Sequence, residues 1–278
     1  MFTLNCNGRL LAVDKPLVMG IINTTPDSFY SGSRFTDISD ILRQAAQMLR
    51  DGADMLDIGG QSTRPGSAQV GAAEELQRVL QAIGTVSLHF PEAIISIDTY
   101  HASVARQAVE AGACIVNDIS GGQDQDMLPT VASLNVPYVC MHIKGMPDTM
   151  QQYAEYEDVS KEVLDYFIRK KEQCLQAGIK DIIIDPGFGF AKTAGHNFTL
   201  LHNLSVLHML QCPILVGLSR KSTIYKTLGT DAAGALNGTT VMNTIALLNG
   251  AHILRVHDVK EAKEAVNLVS AYTGAVGH

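Results

Sequence analysis

Residues 181–190 read DIIIDPGFGF. Three consecutive isoleucines predict a short strand covered on both faces, as in a parallel sheet flanked by helices. The strand ends in an acid, Asp185. Pro186, Gly187 and Gly189 then predict a flexible turn carrying two exposed rings, Phe188 and Phe190. A carboxylate at the tip of such a strand belongs where several strand tips share a cavity. The rest of the chain repeats the arrangement. Aliphatic runs occur at LVMGII (17–22), DMLDI (54–58), IISI (94–97), CIV (114–116), PYVCM (137–141), DIII (181–184), PILVGL (213–218) and HILRV (252–256). Segments of helical period follow them. In ISDILRQAAQMLRDG, Ile38, Ile41, Leu42, Ala45 and Leu49 share one face and Gly52 ends it. SVARQAVEAGA, SKEVLDYFIRKKEQCLQAG and KEAKEAVNLV behave alike.

Strand then helix, eight times in 278 residues, predicts an α/β fold, a (β/α)8 TIM barrel. An open doubly wound sheet is the alternative. No composition shift or Pro/Ser-rich linker divides the chain, so residues 1–278 read as one domain. Asn7-Gly8 between alternating residues predicts a hairpin within residues 1–16, capping the amino end of the barrel.

Composition narrows the function classes. With 46% hydrophobic and 18% charged residues, the chain can bury one large core. No apolar run approaches the roughly 20 residues of a membrane helix. The opening MFTLNCNGRLL lacks the basic start and apolar centre of a secretory signal, so a cytoplasmic protein is expected. Cys6, Cys114, Cys140, Cys174 and Cys212 are scattered without a CxxC pair and read as reduced, packed thiols. His89, His101, His196, His202, His208 and His252 show no metal-ligand spacing. A net charge of −7 argues against a nucleic-acid surface. Any anionic ligand must therefore be met by positive charge gathered locally.

The residues just past each run are Asn23, Gly59 (with Ser62-Thr63-Arg64 beyond), Asp98, Asn117, His142, Asp185, Ser219-Arg220-Lys221 and His257. In a barrel these converge on one mouth, where active sites are built. Asp and Asn also cap helices and make turns at such positions. Asp57 and Asp118, each beside a better-placed neighbour, read as structural. Two long loops, NTTPDSFYSGSRF (23–35) and GGQSTRPGSAQVG (59–71), are expected to move over the mouth.

Eight segments in order carry a family resemblance: MGIINTTPDSF (19–29), GGQSTRPGS (59–67), SIDTY (96–100), VNDISGG (116–122), MHIKGMPDTMQ (141–151), IDPGFGFAKT (184–193), VGLSRKS (216–222) and RVHDV (255–259). Together they resemble the dihydropteroate synthases, folate-pathway transferases of the pterin-binding family. The resemblance implies condensation of 6-hydroxymethyl-7,8-dihydropterin pyrophosphate with 4-aminobenzoate, with Mg2+ bound and pyrophosphate released. It also implies a dissociative, SN1-like route, sulfonamides as aminobenzoate mimics, and a homodimer packed through late helices such as the one around 236–250.

Carried over by position, Asp98, Asn117, Asp185, Lys221 and Met141 make the pterin site. Asn23, Thr63, Arg64, Arg255 and His257 meet the pyrophosphate, with Asn23 also on Mg2+. Thr63, Arg64, Pro65, Phe190, Ser219 and Phe29 line the aminobenzoate site. The catalytic set is Lys221, Arg255, His257 and Asn23. The chemistry is consistent with these residue types, since a carboxylate accepts two N–H bonds from a pterin edge and an amide both donates and accepts. Arg255 and His257 alternate along a strand and share a side. Taken alone, His257 reads equally well as a structural histidine. Ser222 reads as a cap of the next helix, or else as a contact to the substrate carboxylate. His142 reads as a turn residue. Gln61 stands where the family commonly has Glu.

Two other readings remain. A folate-to-corrinoid methyltransferase barrel would share the pterin-reading Asp and Asn, but it has no use for RVHDV or STRPG. A non-catalytic pterin-binding paralogue would be expected to lack Arg64, Lys221, Arg255 or His257, and all of these are present.

Overall fold

The computed structural model describes residues 1–24, 38–61, 70–145 and 150–276. The barrel strands are β3 (Leu17–Asn23), β4 (Met55–Gly59), β5 (Ile95–Asp98), β6 (Ile115–Asp118), β7 (Tyr138–Met141), β8 (Ile182–Asp185), β9 (Leu215–Val216) and β10 (Ile253–Val256). All pair in parallel, in the order β8-β7-β6-β5-β4-β3-β10-β9. A parallel bridge between Ile184 and Ile214 joins the two ends. The sheet is therefore a closed ring with no free edge, which excludes the open-sheet alternative.

Closure leaves β9 short. PILVGL predicts six strand residues, and only Leu215–Val216 pair regularly. Pro213 has no N–H to donate, so its carbonyl alone serves the ladder, accepting from Ile184 N at 3.0 Å. Ile214 O then accepts from both His252 N and Ile253 N.

Strand alternation sorts the core into two sets. Outward residues such as Val18, Ile22, Leu56, Ile58, Ile97, Val116, Ile184 and Leu254 pack under the surrounding helices. Those helices are α1 (Ile38–Arg50), α2 (Ala72–His89), α3 (Ala102–Glu110), α4 (Met127–Leu134), α5 (Val159–Ala177), α6 (Ala194–His202), α7 (Ser222–Thr227), α8 (Leu236–Leu248) and α9 (Val259–Val276). On α1, Ile41, Ala45 and Met48 are buried, with Ile38, Leu42 and Leu49 partly so, as the periodicity predicts. Asp158 caps α5 by accepting from Ser160 N and Lys161 N. Ser222 is no cap: it opens α7 behind Lys221, which holds the cap position without a side-chain bond.

Inward residues Leu17, Met19, Met55, Ile115, Val139, Ile183, Leu215 and Ile253 form the second set. They pack against Leu4, Cys6 and Val13 of the predicted hairpin, β1 (Phe2–Cys6) with β2 (Arg9–Val13). Its strands pair antiparallel, and Asn7 and Gly8 at the turn have φ of 53° and 86°. That is the left-handed pair a two-residue hairpin requires. The hairpin plugs the amino end of the barrel. All five cysteines are buried and free of disulfides.

Candidate active site

At the carboxyl end the same alternation selects polar groups. Ile58 faces the helices, so Asp57 and Gly59 face inward, and by the same rule Asp98, Asn117, Met141, Asp185 and Arg255 do too. Asn23, Gly59, Asp98 and Asn117 are Cα partners across consecutive strands and form one row. Gly59 leaves the space that Asp98 uses, because a Cβ there would lie 3.2 Å from Cβ of Asp98.

Arg255 is the hub of this end. Its Nε donates to Asp57 Oδ2 at 2.6 Å and its Nη2 to Asp98 Oδ2 at 2.6 Å. Asn117 Nδ2 donates to the same Asp57 oxygen at 3.0 Å. One carboxylate thus fixes both an arginine and an amide. Burial disfavours the charge on Arg255, but Asp57 and Asp98 outweigh it and hold the guanidinium protonated. Burial lifts Asp98 to about 7 against the pull of Arg255, with Asp57 adding to the rise.

Asp57, which reads from the sequence as structural, lies inside the mouth, fully buried, and holds Arg255 and Asn117 in place. Its signal was the period-two pattern, because a strand that sends Leu56 and Ile58 to the helices must send Asp57 inward. Asp118 does play the structural part. It faces outward and accepts from Ser120 N, Ser120 Oγ, Gly122 N and Tyr138 OH.

After β8 the chain turns tightly. Asp185 Oδ1 accepts from Gly187 N at 2.8 Å, and Gly187 has φ of 68°. Only glycine fits there, because a Cβ would lie 2.1 Å from His142 O. The expectation of two exposed rings fails. Phe188 is buried in the outer core, and Phe190 packs on Met141, Ile119, Ile143 and Met150. Lys221 Nζ donates to Phe188 O and stands 4.7 Å from the Phe190 ring centroid. Burial lowers Lys221 to about 8, opposed by Asp185, while burial raises Asp185, opposed by Lys221.

In Ser219-Arg220-Lys221 the middle residue points away from the mouth. Arg220 forks onto Asp258 at 2.8 and 2.7 Å and donates to Ala232 O and Ala233 O. Its φ of 52° lets its two neighbours turn inward. Ser219 Oγ then lies 3.0 Å from His257 Nδ1, which brings Ser219 to the histidine expected at the pyrophosphate. Asn23 is half-buried at the tip of β3. Lys192 and His142, absent from the predicted set, are buried behind the turn. The expected Phe29, Thr63, Arg64 and Pro65 lie outside the described residues.

The chain is a closed (β/α)8 barrel with Asp, Asn, Lys and Arg gathered at its carboxyl end; residues 19–257 match the pterin binding enzymes, and the chain belongs to that family. The dihydropteroate synthase of Escherichia coli (strain K12) is 43% identical over 270 residues, covering 96% of this chain and 95% of that protein. Among solved structures, the Xanthomonas albilineans dihydropteroate synthase with 4-aminobenzoic acid is 38% identical, with a TM-score of 0.92 and 98% of each chain covered. The Yersinia pestis dihydropteroate synthase in a sulfonamide drug complex is 39% identical, with a TM-score of 0.93, covering 98% of this chain and 100% of that one.

Proposed function

We propose that this chain is a dihydropteroate synthase, a transferase joining 4-aminobenzoate to 6-hydroxymethyl-7,8-dihydropterin pyrophosphate with release of pyrophosphate. The observation that carries the reading is the cluster of buried Asp98, Asn117 and Asp185 gathered with half-buried Lys221 and Arg255 at the barrel mouth of a pterin-binding family member.

Asp98, Asn117 and Asp185 read the donor and acceptor edge of the pterin, Lys221 reaches the ring from the Phe188 carbonyl, and Met141 supplies an apolar wall. Arg255 uses Nε and Nη2 on Asp57 and Asp98, and its other terminal nitrogen is the donor for the leaving diphosphate. His257, set by Ser219, serves the same anion with Asn23, and the resemblance assigns Thr63 and Arg64 to it as well. Thr63, Arg64, Pro65, Phe29, Phe190 and Ser219 line the aminobenzoate side.

Asn23, half-buried at the tip of β3, would offer its amide oxygen to Mg2+. The described residues hold no group of three or more His, Cys, Asp or Glu that could bind a metal. Mg2+ needs no such group, since it commonly takes one or two protein oxygens with substrate phosphates and water. Bound in that way, the ion neutralises charge on the diphosphate. The C–O bond to pyrophosphate breaks first, and charge at the methylene spreads into the pterin ring. Arg255 and His257 stabilise the departing anion. An aromatic amine is neutral near pH 7, so attack on that carbon needs no strong base. A secondary deuterium isotope effect at the methylene close to unity would refute this order of events.

We also read the chain as one domain, residues 1–278, forming a homodimer in the cytoplasm. The dimer is supported by Val241, Ile245 and Leu248 exposed on α8, with Leu268 and Tyr272 exposed on α9. No helix among the described residues is long and apolar enough to cross a membrane. The decisive assay mixes both substrates with Mg2+ and measures pyrophosphate. Turnover is expected, and pterin binding without release would make the protein a non-catalytic binder.

A further inference from the structure

Lys192 is the last residue but one of the IDPGFGFAKT segment and has no part in the chemistry above. It is 4% exposed. Its ammonium reaches three acceptors: His142 Nδ1 at 2.9 Å, Gly187 O at 3.0 Å and Phe190 O at 3.0 Å. An ammonium has three N–H bonds, so donors and acceptors match one to one. Burial, with Lys192 and Lys144 adding, lowers His142 to about 2. Its ring is therefore neutral, and the bond to Lys192 assigns the lone pair to Nδ1.

The carbonyls it holds are the two feet of the turn. Gly187, one foot, donates its N–H to Asp185 Oδ1, and Phe188 between them accepts from Lys221. Phe190, the other foot, carries the ring beside Lys221 Nζ. A single ammonium thus clips the arch on which both Asp185 and Lys221 depend.

Charge gives a second reason to single it out. Asp57, Asp98 and Asp185 are buried in the mouth against Arg255 and Lys221. Lys192 adds a further cation near Asp185, with a weaker pull on it than Lys221 or Arg255. The ionisable groups that face it are His142 and Lys144 from the segment after β7, Asp185 from β8 and Lys221 after β9. Lys144 is engaged elsewhere, by Glu162 at 2.7 Å and by Glu155 O. Tyr166 and Tyr156 pack around the His142 ring.

We propose that Lys192 is a positioning residue of the pterin site: it clips the Gly187–Phe190 arch to His142 and, behind Lys221 and Arg255, adds a buried positive charge that favours the ionised Asp185 carboxyl as acceptor of pterin N–H groups. The inference rests on the reading of Asp185 as a pterin anchor.

The test is the affinity for 6-hydroxymethylpterin, which lacks the diphosphate, measured by calorimetry from about pH 6 to about pH 8.5. Burial lowers Lys192 to about 7, so in the parent protein it is charged at the acid end of this range and neutral at the alkaline end. Lys192→Met removes the charge throughout. The Asp185 carboxyl, already raised by burial, should then rise further and lose its ionised form as pH falls. Affinity near pH 6 should be about tenfold weaker than in the parent, the loss that follows when the ionised fraction of the carboxyl falls by that factor. The gap should narrow toward pH 8.5, where both proteins lack the charge. Lys192→Arg keeps the charge at every pH, so its affinity should match the parent near pH 6 and should not fall below it toward pH 8.5, and it decides the matter if the Met variant does not fold. A loss that is the same at every pH, or no loss, overturns the charge role. Parent protein that binds no pterin at any pH refutes the pterin reading itself.

Discussion

At the amino end of the barrel, Met55, Ile115, Val139, Ile183 and Ile253 close on the hairpin; two residues further along the same strands, the inward positions are Asp57, Asn117, Met141, Asp185 and Arg255. One step of strand period separates a dry apolar plug from a cluster of buried charges. Apolar groups leaving water stabilise the first end. At the second, burial works against the ionised forms of Asp98, Asp185 and Lys221, and stability there depends on pairing each charge. The barrel concentrates its stability at one end and its reactivity at the other.

Arg255→Ala should break the charged end most severely. It removes the cation shared by Asp57 and Asp98 along with the donor proposed for the diphosphate. Turnover should fall about a thousandfold, roughly 4 kcal/mol of transition-state stabilisation. Affinity for a pterin without the diphosphate should fall much less. Equal losses in pyrophosphate release and in pterin titration would remove Arg255 from the leaving group.

Ile183→Ala probes the plug. Ile183 is fully buried between strand and hairpin, so denaturant unfolding should show a loss of about 3 kcal/mol. Its neighbour Asp185 stays in place, and KM for both substrates should stay unchanged. A raised pterin KM would mean that the two ends are coupled.

Asp57→Asn lies on the boundary between them. The substitution keeps an acceptor for Asn117 but takes the charge from the bond to Arg255, a loss of about 2 kcal/mol for a buried charged hydrogen bond. Turnover should fall by more than tenfold. Full activity with a lowered melting temperature would return Asp57 to a structural role.

The eight strands were legible because each is buried on both faces and reads as an aliphatic run. The structure moves most of them one residue later, which makes Asp98 and Asp185 the last strand residues. The weak β9 follows from Pro213, whose missing N–H carries more weight than the apolar run around it. Asp98, Asn117, Asp185 and Lys221 stood out through their positions at strand tips, and Arg255 through RVHDV, where it alternates with His257. The inward direction of Asp57 follows from the alternation along β4, which weighing it against its neighbour does not use. Lys192 gave no local signal, because its partner His142 is 50 residues away and the arch it clips exists only after β7 and β8 pair. Phe188 and Phe190 were misread for the same reason, since the packing that buries them is made by other strands.

The smallest effect should come from Gly8→Ala, at the tip of the hairpin. A Cβ at Gly8 meets nothing within 4 Å, so no steric clash contributes; at Gly187 the same atom would strike His142 O. What remains is the φ of 86°, which L-residues rarely adopt. The cost should be about 1 kcal/mol, read as a shift in the unfolding midpoint. Turnover should be unchanged, because the plug would still fill the barrel and the charged end would keep its geometry. A change in turnover from so small a loss would show that the hairpin helps to set the strand tips, and the separation between the two ends would then be incomplete.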